Sequence, residues 1–273
     1  MKRKMCVAGS FYPEHADEIK QFFEHCNTRF EALSQKTPIE SPKELHNAAP
    51  NETAKAIIVP HAGYIYSGFT ANAAYREFAK QPFSNLLVIG PSHRAPLYGM
   101  SLCEASLYQT PLGDIPLSQM LFNNLKTIFS LSQKIPHAEH STEVQFPFIK
   151  YYFPAVPIVE IIYGQIQSVE IQKIIKYALS VPRTGIIISS DLSHFHTQEE
   201  ATIIDSKCIQ AIETLNTTVL HEGCEACGLT GIEAMIASAH TLKLKAEILD
   251  YRTSANTSGD TTRVVGYVSA IFK

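Results

Sequence analysis

The chain has 273 residues, of which 45% are hydrophobic and 18% charged, with a formal net charge of -3 at pH 7. That length fits one large α/β domain better than two small ones, and the slightly acidic balance gives no field suited to nucleic acid, so polyanion binding is not expected. No run approaches the ~20 apolar residues that a membrane-spanning helix needs, and six cysteines scattered along the chain are not the dense framework of a disulfide-stapled secreted domain, so the expectation is a soluble, reduced, cytoplasmic protein.

The opening stretch MKRKMCVAGSFYP is basic, as an export signal would be, yet it reaches Gly9, Ser10 and Pro13 before any useful apolar run forms, and export is not expected. Residues 13–33 have the periodicity of an amphipathic helix, and the polar stretch 34–53, with three prolines, reads as an exposed loop. A strand follows over Ala56–Val59, then a turn around Gly63 and Gly68, a helix over 69–79 and a strand over 86–89. Further on, 117–129 and 142–152 read as helices, 158–162 as a strand, 169–179 as a helix and 186–188 as a strand. Helices over 199–215 and 231–239 and two closing strands, 246–251 and Val264–Phe272, complete the alternation. The pattern predicts a single α/β domain over 1–273, with a central, mostly parallel sheet flanked by helices.

Three of the apolar, β-branched runs end alike: AIIVP before His61, LLVIGPS before His93, and IIISS before Asp191 and His194. Strands of a parallel sheet buried on both faces read as continuous hydrophobic stretches, and ligands collect outside their carboxyl ends. His61, His93, Asp191 and His194 are therefore expected to share one sheet edge. His61 and His93 are 32 residues apart, which suits one βαβ unit of roughly 30 residues or more. Either histidine alone is an ordinary surface imidazole; two at equivalent strand ends are a candidate pair of metal ligands.

In SSDLSHFH, Asp191 could orient His194 as a general base, serve as a ligand, or simply cap the following helix. In AEHSTEVQFPF, His140 stands just before Ser141 and Thr142, good helix-starting residues, where the positive end of a helix would favour a neutral imidazole able to act as a base. HEGCEACGLTG carries a C-x-x-C pair, a weak sign of zinc or thiol redox chemistry because no second pair accompanies it. Cys227, directly before Gly228 at a helix start, is better placed than Cys224 for a lowered thiol pKa and for metal binding. Ser258, Gly259 and Asp260 read as a turn that could line a pocket. Histidines 15, 25, 46, 137 and 240 have no companions at sensible spacing and are treated as structural.

Taken in order, AGSFYP, VPHAGYIYSG, IGPSH, EHSTEVQFPF, SSDLSHF, ACG and SGDTTRVVGY span nearly the whole chain, and the set resembles the Memo family, the Memo-like partner in microbial AmmeMemoRadiSam systems, similar in fold to class III extradiol dioxygenases. The resemblance implies that dioxygenase-like α/β fold, with His61, His93 and Cys227 at the family's proposed metal positions and Asp191 and His194 in the pocket. In the dioxygenases the third ligand is a carboxylate, so the cysteine is a departure that weakens an expectation of ring-opening oxygenase chemistry. Gly231 is a second departure, at a place where the resemblance leads one to expect proline.

The expected activity is that of a metal-dependent redox protein, an iron or copper oxidoreductase, in which His61, His93 and Cys227 hold the ion while His194, oriented by Asp191, handles protons with His140 nearby. Zinc stays open as the ion, as does a zinc hydrolase using activated water. The competing reading is a non-catalytic signalling or binding protein that uses the same pocket for a peptide or small molecule. A radical SAM enzyme as partner is implied only by the resemblance.

Overall fold

Isoleucine, valine and leucine at successive positions of a strand put apolar groups on both of its faces, and such a strand is stable only with a core on each side. A computed structural model shows this arrangement for residues 1–36, 53–129 and 137–273. Residues 37–52 of the expected loop, with His46, lie outside the described residues. In chain order the elements are β1 (Lys2–Arg3), α1 (Ala16–Lys36), β2 (Ala56–Val59), a π-helical turn (Tyr64–Gly68) running into α2 (Phe69–Phe78), β3 (Asn85–Pro91), β4 (Met100–Leu102), β5 (Leu107–Tyr108), β6 (Ile115–Pro116) and α3 (Gln119–Ile128). They continue with α4 (His140–Glu143), α5 (Gln145–Tyr152), β7 (Ile158–Tyr163), α6 (Ser168–Ser180), β8 (Thr184–Ser189), β9 (His194–His196), α7 (Gln198–Thr214), α8 (Thr217–Leu220), α9 (Leu229–Leu242), β10 (Ala246–Thr253), α10 (Ala255–Ser258) and β11 (Val264–Phe272).

The central sheet runs β10-β11-β2-β8-β3-β7-β4, with β9 added on β11. Its inner strands β2, β8, β3 and β7 are mutually parallel, whereas β10, β11 and β4 join antiparallel, so the sheet is mixed with a parallel centre. Ile57, Val59, Leu86, Val88 and Ile187 face a core shared with α1, α2 and α5. Ile58, Leu87, Ile89, Ile186 and Ile188 face the other, shared with α3, α6, α7 and α9. Helices on both faces of one sheet make this the single α/β domain of class III extradiol dioxygenase type that the resemblance implies.

The chain crosses from β2 through α2 to β3, yet β8 lies between those two strands. His61 and His93 are thus separated by the strand that delivers Ser189 and Asp191, rather than standing on immediate neighbours. Short strands β4, β5, β6 and β9, of two or three residues, are too brief to leave a period in the sequence. Of the expected turn at 258–260, Ser258 is the last residue of α10 and Gly259, at φ 74°, turns the chain out of it.

Cys208, in α7, and Cys224 form a disulfide with Cα atoms 5.0 Å apart, so the thiols are not all reduced and Cys224 does not act with Cys227 as a pair. Sequence spacing cannot reveal such connectivity, because α7 and the 221–228 loop meet only after folding. Among the described residues, no helix is long and apolar enough to cross a membrane.

Candidate metal centre

Three segments leaving the carboxyl ends of β2, β8 and β3, together with the loop before α9, converge at one edge of the sheet. One donor atom from each of His61, His93 and Cys227 falls within a common 4.8 Å. The rings of His61 and His93 have centroids 5.3 Å apart, and His140 packs 5.4 Å from His61 and 5.1 Å from His93. Sequence reasoning named all four of these residues, and the fold brings them together.

The tautomer of His61 follows from its neighbours. Ser189 Oγ donates its single hydrogen to the carbonyl of Ser141 and accepts from Gln145 Nε2 at 2.9 Å. It can therefore only accept from His61 Nδ1, 3.0 Å away, which assigns the ring proton to Nδ1. Nε2 is left with its lone pair directed at Cys227 Sγ, 3.4 Å away. A second hydrogen bond of this kind is what aims a histidine at a metal. Burial, partly countered by Asp191 and reinforced by His140 and His93, lowers the His61 pKa to about 4. Burial and His140 lower that of His93 as well. Both rings are neutral at pH 7, the form that binds metals.

Cys227 meets a different environment from the one expected. Its amide donates to the Asp191 carbonyl at 3.3 Å and its sulfur accepts from the Asp191 amide at 3.3 Å. Burial and the Asp191 charge push its pKa up to about 12 rather than down. A helix start alone does not activate a thiol that has lost its water and faces a carboxylate. Gly228 lets the loop come this close: a Cβ there would lie 2.6 Å from both Ser190 Cβ and Oγ. At Gly231 the amide donates to Tyr163 Oη at 3.2 Å, a bond that proline could not make.

Asp191 is buried, and its Oδ1 accepts from the amides of His61 at 2.7 Å and Ala62 at 3.3 Å. Among the described residues, its hydrogen bonds hold the His61 loop rather than the His194 ring. His194 sits at the start of β9, half-buried, beside Phe195. His196 pairs with Glu225 at 2.6 Å on the surface.

Glu139, absent from the sequence-based expectation, also belongs to this centre. This buried carboxylate caps α4, accepting from His140 N at 2.8 Å. Its Oε2 accepts from His93 N at 2.6 Å and Arg94 N at 2.9 Å, and its Oε1 lies 2.8 Å from His140 Nδ1. Although burial opposes ionisation, the bonds from His140, His93 and Arg94 hold Glu139 down to about 2. The signal lay in plain view one residue before His140: an acidic N-cap. Glu143, next on this segment, is also buried and anchors the N-terminal arm, accepting from Arg3, from the amides of Cys6 at 2.7 Å and Val7 at 2.8 Å, and from Tyr12 Oη at 2.9 Å. That arm lays Phe11 against His140, ring centroids 4.9 Å apart. Beside it is a cavity of about 720 Å³ lined by Ser10, Phe11, Tyr12, Gly63, Ile65 and Tyr66, among others.

One histidine treated as structural has found partners: His137 lies against Cys103 and Glu160, with donor atoms within 4.8 Å of one another.

A family profile described as Memo-like protein matches residues 3–271. A MEMO1 family protein of Methanobrevibacter smithii is 34% identical, with both chains covered in full. Relatives with the same family description from Methanocaldococcus jannaschii and Thermotoga maritima are each 32% identical, over 98% and 99% of both chains respectively.

Proposed function

The chain belongs to the Memo family, and on that premise we propose that it is a metal-dependent redox protein in which His61, His93 and Cys227 hold iron or copper. The observation that carries this reading is the His61 ring: its proton is held on Nδ1 by Ser189 and its free Nε2 faces the Cys227 sulfur. Two neutral imidazoles and a thiol that can ionise on binding fit iron or copper, and would also accept zinc. Bound there, iron or copper would supply one-electron redox chemistry to a substrate.

The remaining side chains orient and move protons. Asp191 fixes the His61 loop through two amides, and Glu139 fixes the His93 loop in the same manner. His140, whose ring packs against those of both His61 and His93, is assigned the proton-accepting role. His194, at the rim, is assigned the second proton-carrying role. Phe11 covers His140 and limits access of water.

The test is anaerobic analysis of iron and copper in protein purified without chelators, wild type beside a His61→Ala, His93→Ala double variant. Loss of iron and copper from the variant is expected; equal content in the two would end this reading. Oxygen consumption by iron- or copper-loaded protein across a panel of catechols and other phenols then tests turnover. A second reading, recognition of a peptide or small molecule without turnover, is favoured by the cavity bordered by Phe11, the residue packed on His140, where Ile65 is 69% and Tyr66 38% exposed. Saturable binding with no oxygen consumption on either metal would favour it.

A further inference from the structure

Away from the sheet edge, a second group of donors comes from three unconnected places: Cys103 just after β4, His137 ahead of α4, and Glu160 within β7. One donor atom of each lies within 4.8 Å of the others, and all three side chains are nearly inaccessible, with Cys103 4%, His137 5% and Glu160 0% exposed. Glu160 Oε1 is occupied: it accepts from Thr142 Oγ1 and lies 3.5 Å from Arg3 Nη2. Glu160 Oε2 and His137 Nδ1 stand 3.2 Å apart, yet each is buried without a hydrogen bond. On the far side of the ring, His137 Nε2 lies 2.9 Å from Ser101 Oγ. In the tautomer that donates Nε2–H to that hydroxyl, Nδ1 carries a lone pair turned toward a carboxylate oxygen, and a cation between the two would satisfy both orphaned atoms.

Charge and access agree. The Arg3 guanidinium is set against two buried carboxylates, Glu143 and Glu160, so the cluster already has an excess of one negative charge. Ionising Cys103 would raise that to two, which one divalent ion balances. A cavity of about 520 Å³ lined by Arg3, Met5, Cys6, Cys103, His137 and Ala138, among others, reaches the cluster from the surface.

We propose that Cys103, His137 and Glu160 form a second metal site, separate from the His61, His93 and Cys227 centre, which takes a borderline-soft divalent ion of the zinc type. Imidazole, thiolate and carboxylate are the three donor classes that such an ion accepts together, with an open position left toward the cavity. Binding replaces the Cys103 S–H bond with a sulfur–metal bond, and the proton leaves to solvent. The site does not depend on the redox reading of the first centre.

The test uses full-length protein carrying His61→Ala, His93→Ala and Cys227→Ser, purified without chelators and titrated with zinc against a chromophoric chelator, then with cobalt(II). One ion per chain is expected, with a thiolate-to-cobalt charge-transfer band. Adding Cys103→Ser should abolish both, and adding Cys26→Ser, at a buried thiol elsewhere, should change neither. Ser101→Ala, which leaves all three ligands in place, should weaken binding by roughly 10–100-fold. Circular dichroism without metal checks that each variant is folded. Should the triple variant not fold, the count is taken on wild type, two ions, against Cys103→Ser, one. A folded triple variant that binds no zinc, or binding indifferent to Cys103→Ser, would reduce the cluster to a buried hydrogen-bond network and overturn the proposal.

Discussion

Replacing Glu139 by glutamine changes one oxygen to an NH2 group and removes one charge, with almost no change in volume. Oε2 serves two amides, those of His93 and Arg94, and Oε1 serves that of His140. The glutamine oxygen will keep the two-amide end, because turning the NH2 there would leave two donors facing donors. The His140 amide then loses its acceptor, at about 1–3 kcal/mol, and the two retained bonds lose their charge assistance, roughly another 1 kcal/mol. The expected destabilisation is about 3 kcal/mol, which in a chain of this length lowers Tm by roughly 6 °C. The sign with pH is fixed by the depressed carboxyl. Its folded pKa is about 2 against an ordinary 4.5, so the wild-type advantage is complete above about 4.5 and disappears as pH falls toward 2. Urea unfolding of both proteins at pH 7 and at pH 3 measures this, and metal titration of Glu139→Gln should show weaker binding because the His93 loop is less well held. A variant within about 0.5 kcal/mol of wild type at pH 7, the range of an ordinary surface substitution, with unchanged metal affinity, would refute the positioning role of Glu139.

In metal-free protein, His61 takes up a proton only near pH 4 when folded, against 6.5 in the ordinary state. The unfolded chain therefore binds the proton first as pH falls, and stability should drop by about 3 kcal/mol between those values, a drop that His61→Gln removes in acid unfolding curves. Because the Cys227 thiol has a pKa of about 12, each ion bound at the first centre should release one proton, measurable as buffer-dependent heats in calorimetry, and Cys227→Ser should abolish the release. Reducing the Cys208–Cys224 bond, which closes a loop of 16 residues' separation, should cost about 3 kcal/mol in urea unfolding without changing the ion count.

The parts of the site that were legible in the sequence are those a strand end announces. His61 and His93 each follow an unbroken apolar run and a proline, so their level relative to the sheet could be read locally. That β8 would be inserted between β2 and β3 could not, since strand order is settled by packing on both faces of the sheet. Ser189 is the final residue of such a run and Gln145 lies on a buried helix; neither carries a mark of its role, which exists only because the two converge on the His61 ring. The Cys227 thiol was misjudged for a related reason: helix position is visible in sequence, whereas its desolvation and the Asp191 charge are not. His137 looked isolated because its companions are 34 residues before it and 23 after, one just past the end of β4 and one within β7, which the antiparallel pairing of those strands places side by side. The edges of the sheet, built from short antiparallel strands, lacked the length from which a period could be read.

The account rests most heavily on one centre made from His61, His93 and Cys227. Crystals of chelator-free protein measured on either side of the iron and copper absorption edges test it directly. The account predicts an anomalous peak from iron or copper between those three side chains, with His61 bound through Nε2. Protein that takes up iron or copper but places it elsewhere, or that binds it here through His61 Nδ1, would contradict it.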